Sequence, residues 1–260
     1  MSSAAQTLLA RLIDDAGQFP PARKPLARAV EDFRAAKDGP HGWMVGRFLC
    51  PASRLGEADL PRPLGVVADG PDWAADLAAA VAAGADAFEL RDPGPDTYSA
   101  LDVAPLDVFV ENPADLNALA THRLGAKLRC GGLDAAAFPS DAEVAGFIEG
   151  CRREGIPFKA TAGLHHPFRT RDHAIGVLQH GFVNLLAASV LDGVDLEAVI
   201  AEADPSAFAI GPGELAWRDA RADREALEEA RGRFTAFGSC SVAEPVQDLL
   251  AHGILEPARV

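Results

Sequence analysis

Lys127 and Lys159 lie 32 residues apart, each inside a short apolar run and each four residues before a glycine, in Lys-Leu-Arg-Cys-Gly and Lys-Ala-Thr-Ala-Gly. Only four of the 24 basic residues are lysines. The distinction matters because an ammonium can lose its proton near neutrality and a guanidinium cannot. A lysine inside a strand, close to other cations, is a candidate nucleophile. Desolvation and like charge both disfavour its ammonium form, and the neutral amine attacks a carbonyl to form a Schiff base. Lys159 is the candidate amine, with Lys127 and Arg129 as its cationic neighbours. The same side chain can instead clamp a phosphate or carboxylate, or serve as the charge partner of Glu89 or Glu111.

Alternation along the apolar runs sharpens the set. Side chains two residues apart in a strand share a face, so Glu89 goes with Arg91, Lys127 with Arg129, and Lys159 with Thr161. Facing an outer layer of helices, these charges would be buried in apolar surroundings at large cost. Facing inward, they pair with one another and reach a ligand. Glu89 or Glu111 then acts as base, and Arg91, Lys127 and Arg129 hold an anion beside Thr161. A purely structural ion-pair network is the competing reading.

Two loops add to the list. His165 and His166 follow the Lys159 run, and one of them suits proton transfer near neutrality. With Glu89 and Glu111, one His could instead ligate a divalent ion. No HExxH or HxH spacing supports this, so no metal is assigned. Ser239, Cys240 and Ser241 lie between the last apolar run and a short helix at 242–250, a place where free backbone N–H groups bind phosphate or carboxylate. Cys240 as a nucleophile lacks a neighbouring His in the sequence, and Ser239 and Ser241 can equally be helix caps. Cys50 and Cys151 lie in apolar contexts that suit a core.

The elements that must position these residues follow from the apolar pattern. Runs at 45–50, 64–68, 87–90, 108–110, 126–130, 157–162, 207–210 and 233–237 read as buried strands. Helical segments at 72–83, 114–122, 141–153 and 182–191 alternate with them, and each ends near a glycine. The 32-residue repeat matches the spacing of an eightfold barrel, about 31 residues per unit. The sequence therefore predicts a (β/α)8 TIM-type barrel over 41–260. Helices at 4–14 and 21–36 predict an N-terminal helical extension over 1–40. A doubly wound open sheet is the alternative, but its GxGxxG loop is absent and no cofactor is expected.

Composition bounds the function. With 38 acidic against 24 basic residues, the chain carries a formal charge of −14. That disfavours nucleic acid and anionic membrane surfaces as partners. No apolar stretch approaches the ~18 residues of a membrane span. The four cysteines form no CxxC pair. The opening residues do not read as a signal peptide. A cytoplasmic protein is expected, with a small anionic metabolite as partner and a homo-oligomer as one possible assembly.

Three strings, PFKATAGLHHP at 157–167, HGFVNLLAA at 180–188 and FGSCSVAEPVQDL at 237–249, resemble those of a group of uncharacterised bacterial proteins with no established activity to carry over. The string FELRD at 88–92 is similar to the ELRxD strand motif of type I dehydroquinases, barrel enzymes that use a Schiff-base lysine. That resemblance implies substrate-holding roles for Glu89 and Arg91, with Lys159 as the amine. Three functions are therefore expected from the sequence. The first is a lyase acting through Lys159 on a small anionic carbonyl metabolite, with His165 or His166 shuttling protons. The second is metal-assisted enolate or phosphate chemistry. The third is a non-catalytic small-molecule binding barrel.

Overall fold

The computed structural model describes residues 4–102, 105–211 and 213–256. After α1 (Ala4–Leu9), the chain enters the first barrel strand, β1 (Ile13–Asp15). Helix α2 (Leu26–Asp38) leads to β2 (Val45–Pro51), and a single 3-10 turn connects β2 to β3 (Leu64–Val67). Then come α3 (Trp73–Ala82), β4 (Ala87–Arg91), α4 (Tyr98–Leu101), β5 (Asp107–Glu111), α5 (Leu116–Thr121), β6 (Gly125–Arg129), α6 (Asp141–Glu154) and β7 (Phe158–Thr161). A long excursion follows: the hairpin β8 (Thr170–Asp172) and β9 (Val177–Gln179), α7 (Phe182–Val190), α8 (Leu196–Ala201), an antiparallel sheet of β10 (Phe208–Ile210), β11 (Glu214–Trp217) and β12 (Ala220–Asp223), and α9 (Arg224–Arg233). Strand β13 (Phe234–Ser239) closes the barrel and α10 (Ala243–Ala251) follows it.

Eight parallel strands close in the order β1-β13-β7-β6-β5-β4-β3-β2. The (β/α)8 TIM-type barrel expected from the sequence is thus the fold. Seven of the eight expected strands belong to it, and two details differ. The run at 207–210 is not a barrel strand. It pairs antiparallel with β11 in the small sheet. The missing strand is β1, inside the stretch expected to be helical. Segment 1–40 is therefore not an appended helical extension but the first strand of the barrel and its crossover helix. The physical reason is local: Leu9, Leu12 and Ile13 have helical spacing, but α1 stops after six residues. Arg11 adopts a left-handed φ of 53°, which a helix does not tolerate. Three residues are also too few to show the period of a strand.

The core lies between barrel and helices. Phe158 of β7 stacks on Phe234 of β13 at 5.0 Å, and Phe182 of α7 stacks on Phe237 at 4.8 Å. Every residue of α7 is buried. Its one amide side chain, Asn184, donates to the carbonyls of Val199 (2.9 Å) and Glu202 (2.8 Å), tying α7 to α8. Helix α6 is bounded as the sequence suggests, with a capping box of Ser140 and Glu143 and a left-handed Gly155 at its end. Among the described residues, no helix is long and apolar enough to cross a membrane.

Strand β1 is held from the side by a close approach to β2. A Cβ on Gly46 would fall 2.3 Å from Asp14 Oδ1 and 2.9 Å from the Arg11 carbonyl. Gly46→Ala is expected to destabilise by ~1–3 kcal/mol, a melting shift of several degrees. A thermal melt matching the parent would show that β1 does not pack as described.

Candidate active site

The strands deliver their charged side chains to one place because their register aligns them. Glu111 pairs with Lys127 across β5 and β6, and Lys127 with Lys159 across β6 and β7. The result is a continuous ladder of opposite charges. Lys159 Nζ lies 2.5 Å from Asp14 Oδ2 and also hydrogen bonds Glu89 Oε1. Lys127 Nζ lies 2.9 Å from Glu89 Oε2 and 2.9 Å from Glu111 Oε2. Arg129 Nε donates to Glu111 Oε1 at 3.1 Å. Three carboxylates and three cations alternate from Asp14 to Arg129.

Burial is graded along the ladder. The side chains of Asp14, Glu89 and Lys159 are fully or almost fully buried, whereas that of Arg129 is 40% exposed. Burial alone would raise the Glu89 carboxyl, but the Lys127 and Lys159 ammonium groups outweigh it and hold its pKa down at about 2. Glu111 is likewise held low against burial by Lys127 and Arg129. Burial opposes the charge of Lys127, yet Glu89 and Glu111 prevail and hold its pKa above the usual lysine value.

Above the ladder, at the C-terminal ends of the strands, opens a cavity of about 1120 Å³. This is where enzymes of this fold place their chemistry. Of the residues singled out in the sequence, Glu89, Arg91, Glu111, Lys127, Arg129, Thr161, His165, His166 and Cys240 line it. Lys159 does not. It sits beneath the cavity floor with Asp14, and both are fully buried. The expected cationic surroundings of Lys159 are also corrected. Its immediate neighbours are the carboxylates of Asp14 and Glu89, because Lys127 turns its own ammonium to Glu89 and Glu111. Ser239 and Ser241 are not cavity walls. Ser239 Oγ donates to the Ser241 carbonyl at 2.7 Å, and Ser241 Oγ accepts the Glu244 amide at 3.2 Å. Ser241 thereby satisfies one first-turn amide of α10, and Ser239 holds the turn that leads into the helix.

The histidines reveal residues that the sequence did not. His165 Nδ1 lies 2.9 Å from Glu244 Oε2, and His166 Nδ1 lies 2.5 Å from Asp248 Oδ2. Glu244 and Asp248 are four residues apart on α10 and so share a face. Adjacent side chains on the β7 loop thus reach two carboxylates one helical turn apart. The loop turns through left-handed backbone at Ala162 (φ 56°) and Gly163 (φ 69°). At Gly163 a Cβ would meet the Cys130 carbonyl at 3.0 Å. On the other side of its ring, His165 Nε2 lies 3.9 Å from Cys240 Sγ.

The metal alternative required Glu89, Glu111 and one His to converge. Both carboxylates are instead bridged by Lys127, and the His side chains turn to α10. Among the described residues, no group of three His, Cys, Asp or Glu side chains is arranged to hold a metal ion.

The ladder makes a pH prediction. The folded pKa of Glu89, about 2, lies below the ordinary 4.5. Its stabilisation is therefore fully present above pH 4.5 and is lost as pH falls toward 2. Glu89→Gln should flatten the acid limb of the stability curve. At pH 7 it should also destabilise by ~3–5 kcal/mol, because Lys127 and Lys159 lose their shared carboxylate. Chemical denaturation of both proteins from pH 2 to 7 measures this. Superimposable curves would mean that Glu89 does not bridge the two lysines.

No protein-family model matches the chain, and no curated protein does either.

Proposed function

We propose that the protein is an enzyme acting on the carbonyl group of a small anionic metabolite bound at the C-terminal mouth of the barrel. The observation that carries this reading is the placement of the charge ladder under the cavity. Its three acids and three cations balance one another. Arg91, at the exposed end of β4, adds a positive charge with no ion-pair partner among the described residues. Arg129 spends two of its five N–H donors, on Glu111 and on the Gly131 carbonyl, and keeps the rest for a ligand. Two guanidinium groups of this kind suit a carboxylate or phosphate.

Lys127 is the one lysine of the ladder that reaches the cavity. Two of its three N–H donors are taken by Glu89 and Glu111, and the third remains. Held as an ammonium by those carboxylates, it suits hydrogen bonding to a carbonyl oxygen, where it favours the negative charge that develops there. The His165–Glu244 and His166–Asp248 pairs supply imidazoles oriented by carboxylates, a geometry suited to general acid–base work. A Schiff-base lyase acting through Lys159, as the dehydroquinase likeness implies, is less well supported. Its substrate would have to pass the cavity floor and displace two carboxylates. A binding barrel without turnover shares the anion site but gives the two His–carboxylate pairs nothing to do.

Calorimetric titration with pyruvate, oxaloacetate and inorganic phosphate tests the reading. At a hundredfold excess over the dissociation constant, one bound anion should stabilise by about 2.7 kcal/mol, a rise in melting temperature of roughly 5 °C or more. Arg91→Ala with Arg129→Ala should remove most of the binding. No saturable binding of any of the three, or binding unchanged in the double variant, would exclude the anion site.

A further inference from the structure

We propose that Cys240, His165 and Glu244 form a nucleophile, its general base and the group that orients that base, and that the cavity hydrolyses small anionic esters or thioesters. The inference deepens the reading of the cavity as an anionic-carbonyl site and rests on it. The three residues come from different parts of the chain. Cys240 follows β13, His165 lies on the loop after β7, and Glu244 is in the first turn of α10. All three line the cavity that Arg91, Lys127 and Arg129 also line.

The geometry assigns the roles. A carboxylate only accepts hydrogen bonds, so at 2.9 Å from Glu244 Oε2 the His165 Nδ1 carries the proton. Nε2 then presents its lone pair to Cys240 Sγ at 3.9 Å. Nucleophile, base and orienting carboxylate in this order are the general pattern of covalent catalysis by a weakly acidic side chain. Around the sulfur, burial and the Glu244 carboxylate push the thiol pKa up, and Asp15 acts in the same direction. Its own backbone amide and Lys24 oppose them, and the net shift is upward. The resting group is thus the thiol, and His165 must take its proton during attack. The remaining cysteines provide a contrast. Cys50, Cys130 and Cys151 are buried, and burial pushes the thiols of the last two up to about 12.

The steps balance without an oxidant or reductant. The Sγ–H proton moves to His165 Nε2 as the sulfur forms a bond to the acyl carbon, and the carbonyl π pair moves onto oxygen. That pair returns, the bond to the leaving alcohol or thiol breaks, and the leaving group takes the proton from Nε2. A thioester on Cys240 remains. Water then attacks the same carbon while giving a proton to Nε2. The C–S bond breaks and Cys240 recovers its proton. One ester and one water become one acid and one alcohol. The substrate class follows from the walls: an acyl compound with a second, anionic end for Arg91 and Arg129.

The test uses the full chain and two chromogenic esters, anionic 4-nitrophenyl hemisuccinate and neutral 4-nitrophenyl acetate, with mass spectrometry of the quenched protein. The expected result is a burst of nitrophenol with a succinyl group on Cys240 and on no other cysteine. Cys240→Ala should remove both. His165→Gln should slow acylation by about 10²-fold or more. Glu244 is a positioning residue. Glu244→Gln should slow acylation less and shift its pH profile, a readout that a merely structural role would not move. Iodoacetate labelling of the unaltered protein gives a second measurement that needs no variant, and it should mark Cys240 ahead of the other three. Full turnover by Cys240→Ala, or no acyl group on Cys240, overturns the thiol proposal. If anion binding by calorimetry persists in that case, the cavity reading stands without it. If Cys240 acylates equally fast from both esters, and Arg91→Ala with Arg129→Ala changes nothing, the thiol chemistry stands and the anionic substrate class falls.

Discussion

Every strand that supplies a charge to the barrel interior depends on another strand to neutralise it. Lys159 on β7 takes Asp14 from β1 and Glu89 from β4. Lys127 on β6 takes the other oxygen of Glu89 and Glu111 from β5. An unpaired ion at these depths would cost several kcal/mol. The ladder therefore makes barrel closure and charge neutrality one condition. This bears most on β1, which has only three residues of sheet pairing. Asp14 secures it twice over, through Lys159 on one side and by accepting the Arg47 amide at 2.7 Å on the other. Well-packed apolar side chains often stabilise an interior as much as buried ion pairs do. The gain of the ladder is positional: it fixes where each charge lies beneath the cavity.

What the sequence made legible was the parity of the polar positions. Glu89, Glu111, Lys127 and Lys159 interrupt apolar runs, and a charge in such a run has to face a place where it can be paired. That argument requires only the two-residue period of a strand. Depth along the barrel axis is another matter. Lys127 and Lys159 are register partners, yet only Lys127 reaches the cavity. The difference depends on how far each ammonium travels toward carboxylates on other strands, and Asp14, which draws Lys159 down, lay hidden in a segment with helical spacing. The run at 207–210 misled for a related reason. A short continuous apolar run describes a buried strand equally well in a barrel or in a small antiparallel sheet. Glu244 and Asp248 were illegible because their histidine partners lie 79 and 82 residues away in the chain, and no local pattern records that.

The two halves of the site differ in kind. The ladder is a set of opposed charges held in place by sheet register. The histidine loop and α10 carry two imidazoles, each oriented by a carboxylate. Ser239 and Ser241 belong to neither half. Their hydrogen bonds shape the turn that joins β13 to α10, and that turn sets Cys240 opposite His165 and Glu244 behind it. A loop that reads in sequence as an anion cradle is thus a positioning device for the residues on either side of it. The same logic separates the two histidines. Both are oriented by carboxylates of α10, but only the His165 ring has a thiol at its far nitrogen. Under the proposed thiol chemistry, His165 is therefore the one of the two whose proton transfer is coupled to bond formation at sulfur.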